Sequence, residues 1–316
     1  MSKPLISIAL CTYNGLPYLR ELLDSLCAQT YSPLEILIRD DQSTDGTWKL
    51  ICEYQEIYPD LISATRNPIR LGFKANFQLN FKDCQGEWIA PCDQDDIWRT
   101  DKLERMMDLA TDADLIYHDS ALIDSEGKFL QVNVSDRFRL AQGNDPLNFL
   151  LLNCVSGHSM IFHKTLLGRV LPFPDAGYYD HWVAFVASLH GRIQVIGEKL
   201  VFFRQHSANQ SDFQRKRKSG APYRSAKKRL KRENKWLSAC GHEVKDDSQD
   251  ALTIKRIIAL AELRESSYFI PELGWEIWKN RKRLLALQSE NKFRHLAFCW
   301  RYSVGLKGKK LVRFGL

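Results

Sequence analysis

Three carboxylates, Asp93, Asp95 and Asp96, follow directly after the apolar run Trp88–Cys92. Two carboxylates spaced two residues apart can converge on one hard cation where the chain turns. Mg²⁺ or Mn²⁺ held in this way usually completes its coordination with water and substrate phosphates. An apolar run that ends in such a cluster is typical of a buried strand whose carboxyl end opens into a ligand site. The alternative is a solvated acidic turn that caps a helix beginning near Thr100.

The first half of the chain alternates strand-like apolar runs with helical patterns. Strands are predicted at 5–11, 34–39, 61–64 and 88–92, and helices at 17–29, 48–57 and 76–82. Pro17 suits a first helical turn, and Asn14-Gly15 is a strong turn signal. Such alternation predicts an α/β fold with a mostly parallel sheet and helices on both faces. The polar residues that would meet at the carboxyl edge of this sheet, where such folds bind ligands, are Thr12, Asp40, Asp41 and Asp93.

Three ordered blocks of the sequence resemble the inverting glycosyltransferases of family two. The blocks are Ser7–Gly15, Asp40–Thr47 and Asp93–Asp96. The resemblance covers roughly the first two-thirds of the chain and implies a GT-A fold, which is Rossmann-like. It further implies metal-dependent transfer of a sugar from dTDP-rhamnose or a UDP-hexose to a glycan acceptor that is lipid-linked. Within the family, the sequence is most similar to bacterial enzymes that add rhamnose or a similar sugar to a surface polysaccharide.

The resemblance assigns a set of residues to the nucleotide. These residues are Thr12, Tyr13, Asn14, Asp40, Asp41 and Asp93. Asp40 would accept a hydrogen bond from the pyrimidine N–H, and a charged acceptor makes such a bond strong. Capping of the helix after Gly46 is the alternative role for Asp40 and Asp41, although Asp45 suits that role better.

The third block matches the metal motif of the family. The resemblance implies Mg²⁺ or Mn²⁺ bound by Asp95 and Asp93, with Asp93 also reaching the ribose. His206 would be a third ligand or a diphosphate contact, and Arg204 would neutralise charge in the donor pocket. Asp96 is either a further ligand or a carboxylate that begins the following helix. A divalent cation stabilises the negative charge that builds on a departing nucleoside diphosphate.

Asp180, within Tyr178–Trp182, is the residue that the resemblance places at the catalytic base. In an inverting transfer, one carboxylate takes the proton of the acceptor hydroxyl as that oxygen attacks. Tyr179 and Trp182 would form aromatic walls of the pocket that exclude water and stack on sugars. Asp180 would also N-cap the helix that follows, a role compatible with catalysis.

A small-residue turn would form the floor under the donor sugar. Ser156 and Gly157 lie in this turn, and the glycine permits close approach of a ligand to the backbone. An ordinary turn is the alternative, and the neighbouring His158 is assigned no role. The Gln-x-x-Arg-Trp signature of processive relatives is absent from the sequence, which predicts that one sugar is added per encounter.

Charge is distributed unevenly along the chain. Residues 213–316 contain 26 Lys and Arg against 10 Asp and Glu, whereas residues 1–212 contain 19 and 28. We therefore predict a GT-A catalytic domain over 1–212 and a basic helical region over 213–316. Basic helices that carry aromatic residues suit an anionic membrane surface. The alternative is a helical appendage that packs its aromatic residues onto the catalytic domain. No nucleic-acid motif accompanies the charges, so a nucleic-acid partner is not predicted.

The remaining composition favours a cytoplasmic protein that is peripheral on the inner face of the cell membrane. Eight Cys occur without a Cys-x-x-Cys pair, which predicts reduced, buried thiols. No stretch reaches the ~18 apolar residues that span a bilayer. Two other functions remain open, a sugar-phosphate nucleotidyltransferase and a non-catalytic carbohydrate- or nucleic-acid-binding module. The turn Thr12–Leu16 lacks the Lys and second Gly of a triphosphate-binding loop, which disfavours the nucleotidyltransferase.

Overall fold

The computed structural model describes residues 3–110, 112–206, 223–245 and 247–315. These residues form nine strands in one sheet. The strands are β1 (Ile6–Thr12), β2 (Leu34–Asp40), β3 (Ile62–Arg66), β4 (Trp88–Cys92), β5 (Ile97–Trp98), β6 (Leu115–Ile123), β7 (Phe129–Asn133), β8 (Met160–His163) and β9 (Ile193–Arg204). Their order across the sheet is β3-β2-β1-β4-β8-β6-β9-β5, and β7 pairs with β6.

Helices surround the sheet and make up the C-terminal region. They are α1 (Leu16–Cys27), α2 (Thr47–Ile57), α3 (Phe73–Asp83), α4 (Lys102–Met107), α5 (Leu147–Leu150), α6 (Leu167–Val170), α7 (Tyr179–His190), α8 (Tyr223–Glu243), α9 (Gln249–Glu262), α10 (Pro271–Lys279), α11 (Arg281–Leu284), α12 (Lys292–Ser303) and α13 (Leu306–Gly315). Within the described part of the chain, no helix has both the length and the apolar character that crossing a membrane requires.

The first half of the sheet, β3-β2-β1-β4, is parallel, as the alternating pattern predicted. β1 pairs with β2 and β4 in parallel, so Thr12 at its end aligns with Asp40. β1 is buried along its whole length, as expected for a strand covered on both faces. Pro17 lies in the first turn of α1. The buried residues of α1, which recur at helical spacing, are Leu19, Leu22, Leu23 and Leu26.

The second half of the sheet departs from the prediction. β8 runs antiparallel to both of its neighbours, β4 and β6. β5 pairs in antiparallel fashion with β9, and β7 does so with β6. Only β6 and β9 are parallel there. The sheet is therefore mixed, and the expectation of a mostly parallel sheet holds for its first half alone. A short apolar run fits either strand direction, so periodicity could not distinguish them.

One hydrophobic core is shared by the sheet and the C-terminal helices. It includes Phe162 of β8, Phe185 of α7, Trp236 of α8 and Ile254 of α9. Trp236 donates its indole N–H to the carbonyl oxygen of Leu150 at 2.9 Å. The C-terminal region thus packs some of its aromatic residues onto the catalytic part. This packing agrees with the alternative of a helical appendage. Six of the eight cysteines are buried, as predicted.

Candidate active site

The carboxyl ends of β1 and β2 bring together Thr12 and Asp40. Thr12 donates its hydroxyl to Asp40 Oδ1 at 3.0 Å. Asp40 also accepts the N–H of Ser43 at 3.0 Å and pairs with Arg66 at 3.3 Å. Both oxygens of this buried carboxylate are therefore engaged. The assignment of Asp40 to the pyrimidine N–H of the nucleotide stays a prediction.

Asp41 and Asp45 stabilise the loops on either side of Asp40. Asp41 accepts two backbone N–H groups just before α3, each at 2.7 Å. Asp45 accepts the first N–H of α2 at 3.1 Å, which agrees with its predicted capping role. The N-cap position of α2 is Gly46. The alternative that Asp40 or Asp41 caps this helix is therefore wrong.

Gln94, for which the sequence indicated no role, joins the loop after β1 to the acidic turn formed by Asp93–Asp96. Gln94 accepts the N–H of Tyr13 at 2.8 Å and donates to its carbonyl oxygen at 3.0 Å. Asn14, with a φ of 49°, donates its N–H to Ser43 Oγ at 2.9 Å. The guanidinium of Arg70 lies 3.8 Å from the centre of the Tyr13 ring and stabilises it by a cation–π contact. Tyr13 thus lies beside the acidic turn, whereas Asn14 contacts the loop after β2.

The three carboxylates after β4 differ in exposure. The side chains of Asp93 and Asp95 are 40% and 16% exposed, and that of Asp96 is fully buried. β5 follows the turn directly, and the next helix, α4, begins only at Lys102. Asp96 therefore does not begin a helix. The alternative of a solvated turn that caps a helix is wrong, because the Asp96 carboxylate is buried and a strand, not a helix, follows the turn.

The end of β9 supplies two partners of this turn. His206 Nε2 lies 2.8 Å from Asp95 Oδ2, so two of the predicted metal ligands are in contact. Arg204 donates its Nε–H to the carbonyl oxygen of Asp95 at 2.8 Å and its backbone N–H to Asp96 at 3.0 Å. Its buried guanidinium also pairs with Glu21 at 2.5 Å. Arg204 therefore holds the turn in place through bonds within the protein, and its predicted role in the donor pocket stays a prediction.

His158 joins the acidic turn, although the sequence assigned it no role. Its Nδ1 lies 3.4 Å from Asp96 Oδ2 and 3.7 Å from Asp93 Oδ2. One ligand atom from each of these three residues lies within 4.8 Å of the other two. Asp96 Oδ2 hydrogen-bonds to none of the described residues. Burial, with the charges of Asp95 and Asp93, raises the pKa of Asp96 well above its usual value.

Asp180 lies in the first turn of α7. The N-cap of this helix is Tyr178, so the prediction that Asp180 caps it is wrong. The carboxylate accepts the N–H of His181 at 2.6 Å and that of Gly157. Burial raises the pKa of Asp180 to about 7, and the negative charge of Asp93 contributes. A carboxyl group with this pKa exchanges protons readily near neutral pH.

The aromatic residues next to Asp180 lie behind the site. The hydroxyl of buried Tyr179 packs against Gly157, where a Cβ atom would overlap it. Trp182 is buried in the core and donates its indole N–H to a backbone carbonyl oxygen at 3.0 Å. Trp182 therefore supports the site from within the core and does not form the predicted wall for a sugar. Ser156 begins the predicted turn, and its N–H bonds to Ser159 Oγ at 3.2 Å.

Residues 7–171 match the model of a family described as glycosyl transferase family 2. This chain belongs to that family. It is 29% identical over 220 residues to an uncharacterised glycosyltransferase of Nostoc sp., a match that covers 65% of this chain and 66% of that protein. It is 28% identical over 211 residues to an uncharacterised protein of Mycobacterium tuberculosis, covering 64% of this chain and 59% of the other. These matches span less than two thirds of the relatives' own lengths.

Solved structures of glycosyltransferases have the same fold. S. aureus TarS 1–349 in complex with UDP-GlcNAc superposes with a TM-score of 0.61 at 16% identity, covering 98% of this chain and 90% of that one. The mannosyltransferase PcManGT from Pyrobaculum calidifontis, in complex with GDP-Man and Mn²⁺, gives a TM-score of 0.52 at 18% identity, covering 99% and 89%. The likeness shows that this family-two glycosyltransferase has a GT-A fold.

The site of this glycosyltransferase has the donor atoms that a divalent cation prefers. Carboxylate oxygens come from the acidic turn, and imidazole nitrogens come from His206 and His158. Oxygen donors with an added imidazole suit Mg²⁺ or Mn²⁺. The buried Oδ2 of Asp96, which bonds to none of the described residues, is a group that a nearby cation or a proton would satisfy. The residues present therefore fit a divalent metal ion.

Proposed function

We propose that this enzyme transfers one sugar per encounter from a nucleoside-diphosphate sugar to an acceptor hydroxyl, with inversion of configuration. The acceptor oxygen would bond to the anomeric carbon while the bond from that carbon to the diphosphate breaks. Asp180 would take the hydroxyl proton, and the diphosphate would leave with the bonding electrons. The observation that carries this proposal is a partly buried carboxyl group whose pKa is raised to about 7 beside the acidic turn. Such a base contributes about 10²- to 10⁴-fold to the rate.

The proposed donor is dTDP-rhamnose or a UDP-hexose. Thr12, Tyr13 and Asn14 would lie along the nucleotide, and the exposed Asp93 would reach the ribose. Structures of TarS contain UDP and UDP-GlcNAc, and that of PcManGT contains GDP-Man. These complexes support a nucleotide-sugar donor for a chain with the same fold.

We propose that Asp95, Asp93 and His206 hold Mg²⁺ or Mn²⁺, with His158 beside them. When bound, a divalent cation neutralises the charge that develops on the departing diphosphate. The chain itself keeps the ligand atoms in place. Arg204 does so through its bonds to the backbone of the turn and to Asp96.

The proposed acceptor is a lipid-linked glycan in the synthesis of a bacterial surface polysaccharide. We infer that residues 213–316 associate peripherally with the inner face of the cell membrane. Their net positive charge supports this inference, because anionic lipids attract basic segments. The densest basic run, Arg215–Lys218, lies outside the described residues, whereas Lys227–Arg232 lies on α8.

Calorimetric titration of UDP and dTDP, each with Mn²⁺ and again after EDTA, tests the proposed function. One of the two diphosphates should bind with Mn²⁺ and lose its affinity after EDTA. The sugar nucleotide of that diphosphate should then be hydrolysed or transferred only with metal. If neither diphosphate binds, the donor site is refuted. Binding without turnover would instead favour a non-catalytic carbohydrate-binding protein.

A further inference from the structure

α12 exposes large apolar side chains. Phe293, Leu296 and Trp300 are 83%, 48% and 64% exposed, and spacings of three and four residues place them on one face of the helix. The buried positions of α12 are His295, Cys299 and Ser303, and Phe298 and Tyr302 also pack against the core. A helix that faces water normally presents polar residues on its outer face, whereas α12 also presents large apolar ones there. The outer face of α12 is therefore suited to an apolar environment outside the described protein.

The exposed face continues onto neighbouring segments. The rings of Phe269 and Trp300 lie 4.6 Å apart, centre to centre. α10 packs closely on α12 through Gly274, where a Cβ atom would overlap Ser303, and the next residue, Trp275, is 61% exposed. We call the following residues the outer aromatic face: Tyr268, Phe269, Trp275, Phe293, Leu296 and Trp300. Single exposed apolar residues are ordinary, but a group of this size marks a contact surface.

Basic residues accompany the outer aromatic face. Residues 291–316 contain seven Lys and Arg and no Asp or Glu. On α12 itself, Lys292, Arg294 and Arg301 are exposed. Lys307 places a further positive charge beside Tyr268, with its Nζ 5.7 Å from the centre of that ring. Exposed carboxylates nearby in the chain, such as Glu272 of α10 and Glu290 just before α12, offset part of this charge. The partner of this surface should therefore be anionic as well as apolar.

We propose that the outer aromatic face is the surface through which this protein binds an anionic membrane, with α12 lying in the plane of the headgroups. Phe293 and Leu296 would enter the boundary between headgroups and acyl chains. Trp300 would lie at the same depth, where aromatic rings are stable. Arg294 and Arg301 would meet anionic headgroups. This inference rests on the proposed membrane association and identifies the residues that make the contact. It does not depend on the transfer chemistry.

The charges distinguish a membrane from a second copy of this chain. In a two-fold symmetric dimer the same face meets itself, so the basic residues of both copies would be brought together. Like charges brought together in a contact repel one another. Anionic headgroups neutralise Arg294 and Arg301 instead. The charge pattern therefore favours the lipid surface.

Vesicle co-sedimentation of the full chain tests this assignment. The vesicles are phosphatidylcholine alone or phosphatidylcholine mixed with phosphatidylglycerol. Phe293→Ser/Trp300→Ser should weaken binding to the mixed vesicles on the order of 10- to 100-fold, because two large side chains lose their apolar contact. The matched control is Ile57→Ser/Phe129→Ser, whose side chains are 65% and 39% exposed on other elements. The control should bind like the unaltered protein, and circular dichroism should show that both variants are folded.

A second variant separates charge from apolar contact. Arg294→Gln/Arg301→Gln should reduce the preference for phosphatidylglycerol while retaining the aromatic residues. Raising the salt concentration should weaken binding of the unaltered protein more than that of this variant, because salt screens exposed charges. Equal salt dependence of the two proteins would show that these arginines do not contact the lipid.

Each remaining outcome decides between the proposals. If the unaltered protein binds mixed vesicles and Phe293→Ser/Trp300→Ser binds equally well, the outer aromatic face is not the contact. Membrane association would then belong to another segment such as α8. If the unaltered protein binds no vesicle, both membrane proposals fail, while the nucleotide titration still tests the enzyme. If the double variant changes only the molecular mass in solution, the face is a dimer contact and the lipid assignment is refuted.

Discussion

Asp180 carries its charge in surroundings that favour the protonated form. Burial raises its pKa to about 7, and Asp93 adds to the shift, whereas the N–H groups of His181 and Gly157 oppose it. Burial lowers the pKa of the His181 imidazole to about 4, so this neighbour is neutral at pH 7. Asp180 is thus still basic at a pH where its carboxylate form is present. A general base needs this combination.

Replacing the proposed base separates catalysis from binding. Asp180→Asn should lower kcat by about 10²- to 10⁴-fold, because an amide does not take the proton of the acceptor. Metal-dependent binding of the nucleoside diphosphate should be nearly unchanged. Asp175→Asn, an exposed position in the preceding loop, is the control. A loss of nucleotide affinity in Asp180→Asn would contradict its assignment as base.

The raised pKa of Asp180 has consequences for rate and stability. The rate should increase with pH through about 7 and then level off, as the carboxylate form becomes dominant. The folded state binds this proton more tightly than the unfolded state, so the contribution of Asp180 to stability is present at acidic pH and is lost as pH rises from about 4 through 7. The melting temperature of Asp180→Asn relative to the unaltered protein should therefore increase over this range. Thermal unfolding measured across the same pH range checks this, and a constant difference would contradict it.

Asp95 is expected to act through the metal. Asp95→Ala should weaken binding of the nucleoside diphosphate in Mn²⁺ and make the remaining binding insensitive to EDTA, because His206 at 2.8 Å loses its partner ligand. Calorimetry with and without EDTA measures both effects. Asp108→Ala, an exposed carboxylate at the end of α4, controls for the change in net charge. A variant that keeps its affinity and its metal requirement would show that Asp95 is not a ligand.

At the scale of elements, the turn at Gly157 and the start of α7 are fitted to each other. The N–H of Gly157 bonds to Asp180, and its Cα lies against the Tyr179 hydroxyl. That hydroxyl bonds to none of the described residues, so its contact with the turn is steric. This close fit fixes the position of the proposed base relative to the turn that contains Gly157.

A methyl group at Gly157 should disturb that fit. Gly157→Ala forces the turn and α7 apart, which should cost about 1–3 kcal/mol of unfolding free energy and lower transfer more than nucleotide binding. Gly157→Ala/Tyr179→Phe removes the overlapping oxygen and should recover part of both losses. Urea unfolding and transfer kinetics of the two variants provide the test. If the second substitution restores nothing, the steric account is wrong.

At the scale of the whole molecule, the C-terminal region supports the catalytic part. The ring of Trp236 on α8 stacks on His181 with centres 4.0 Å apart, and it lies against Gly177, whose φ is 83°. These contacts flank Asp180 in the sequence. The division of the chain at residue 212 remains a prediction, but the packing shows that the two parts share one core.

Loss of Trp236 should therefore affect both stability and transfer. Trp236→Ala should lower the free energy of unfolding by about 3–5 kcal/mol and reduce kcat, because the segment around His181 loses its support. Trp275→Ala removes a tryptophan that is 61% exposed and should change stability by no more than about 0.5 kcal/mol. Chemical denaturation of both variants tests the difference. Equal stabilities would show that α8 does not support the core.

The sequence by itself determined the elements of the parallel half of the sheet. The apolar runs of β1, β2 and β4 and the leucines of α1 are patterns between near neighbours in the chain, and local spacing is enough to predict them. It also determined that Asp40 and Thr12 come together, because the carboxyl ends of adjacent parallel strands meet at one edge. The acidic turn follows β4, and Asp93 was predicted to lie at that same edge of the sheet.

Only the tertiary structure decided which partner each functional group has. Arg204 was expected to face the donor, but its guanidinium bonds to oxygens of the protein itself, including the Asp95 carbonyl. His158 was assigned no role, yet it lies beside Asp96. The exposed aromatic residues of α12 were likewise indistinguishable from core residues in the sequence. Each of these outcomes depends on contacts between segments distant in the chain, and on burial that follows from them, which local patterns do not encode.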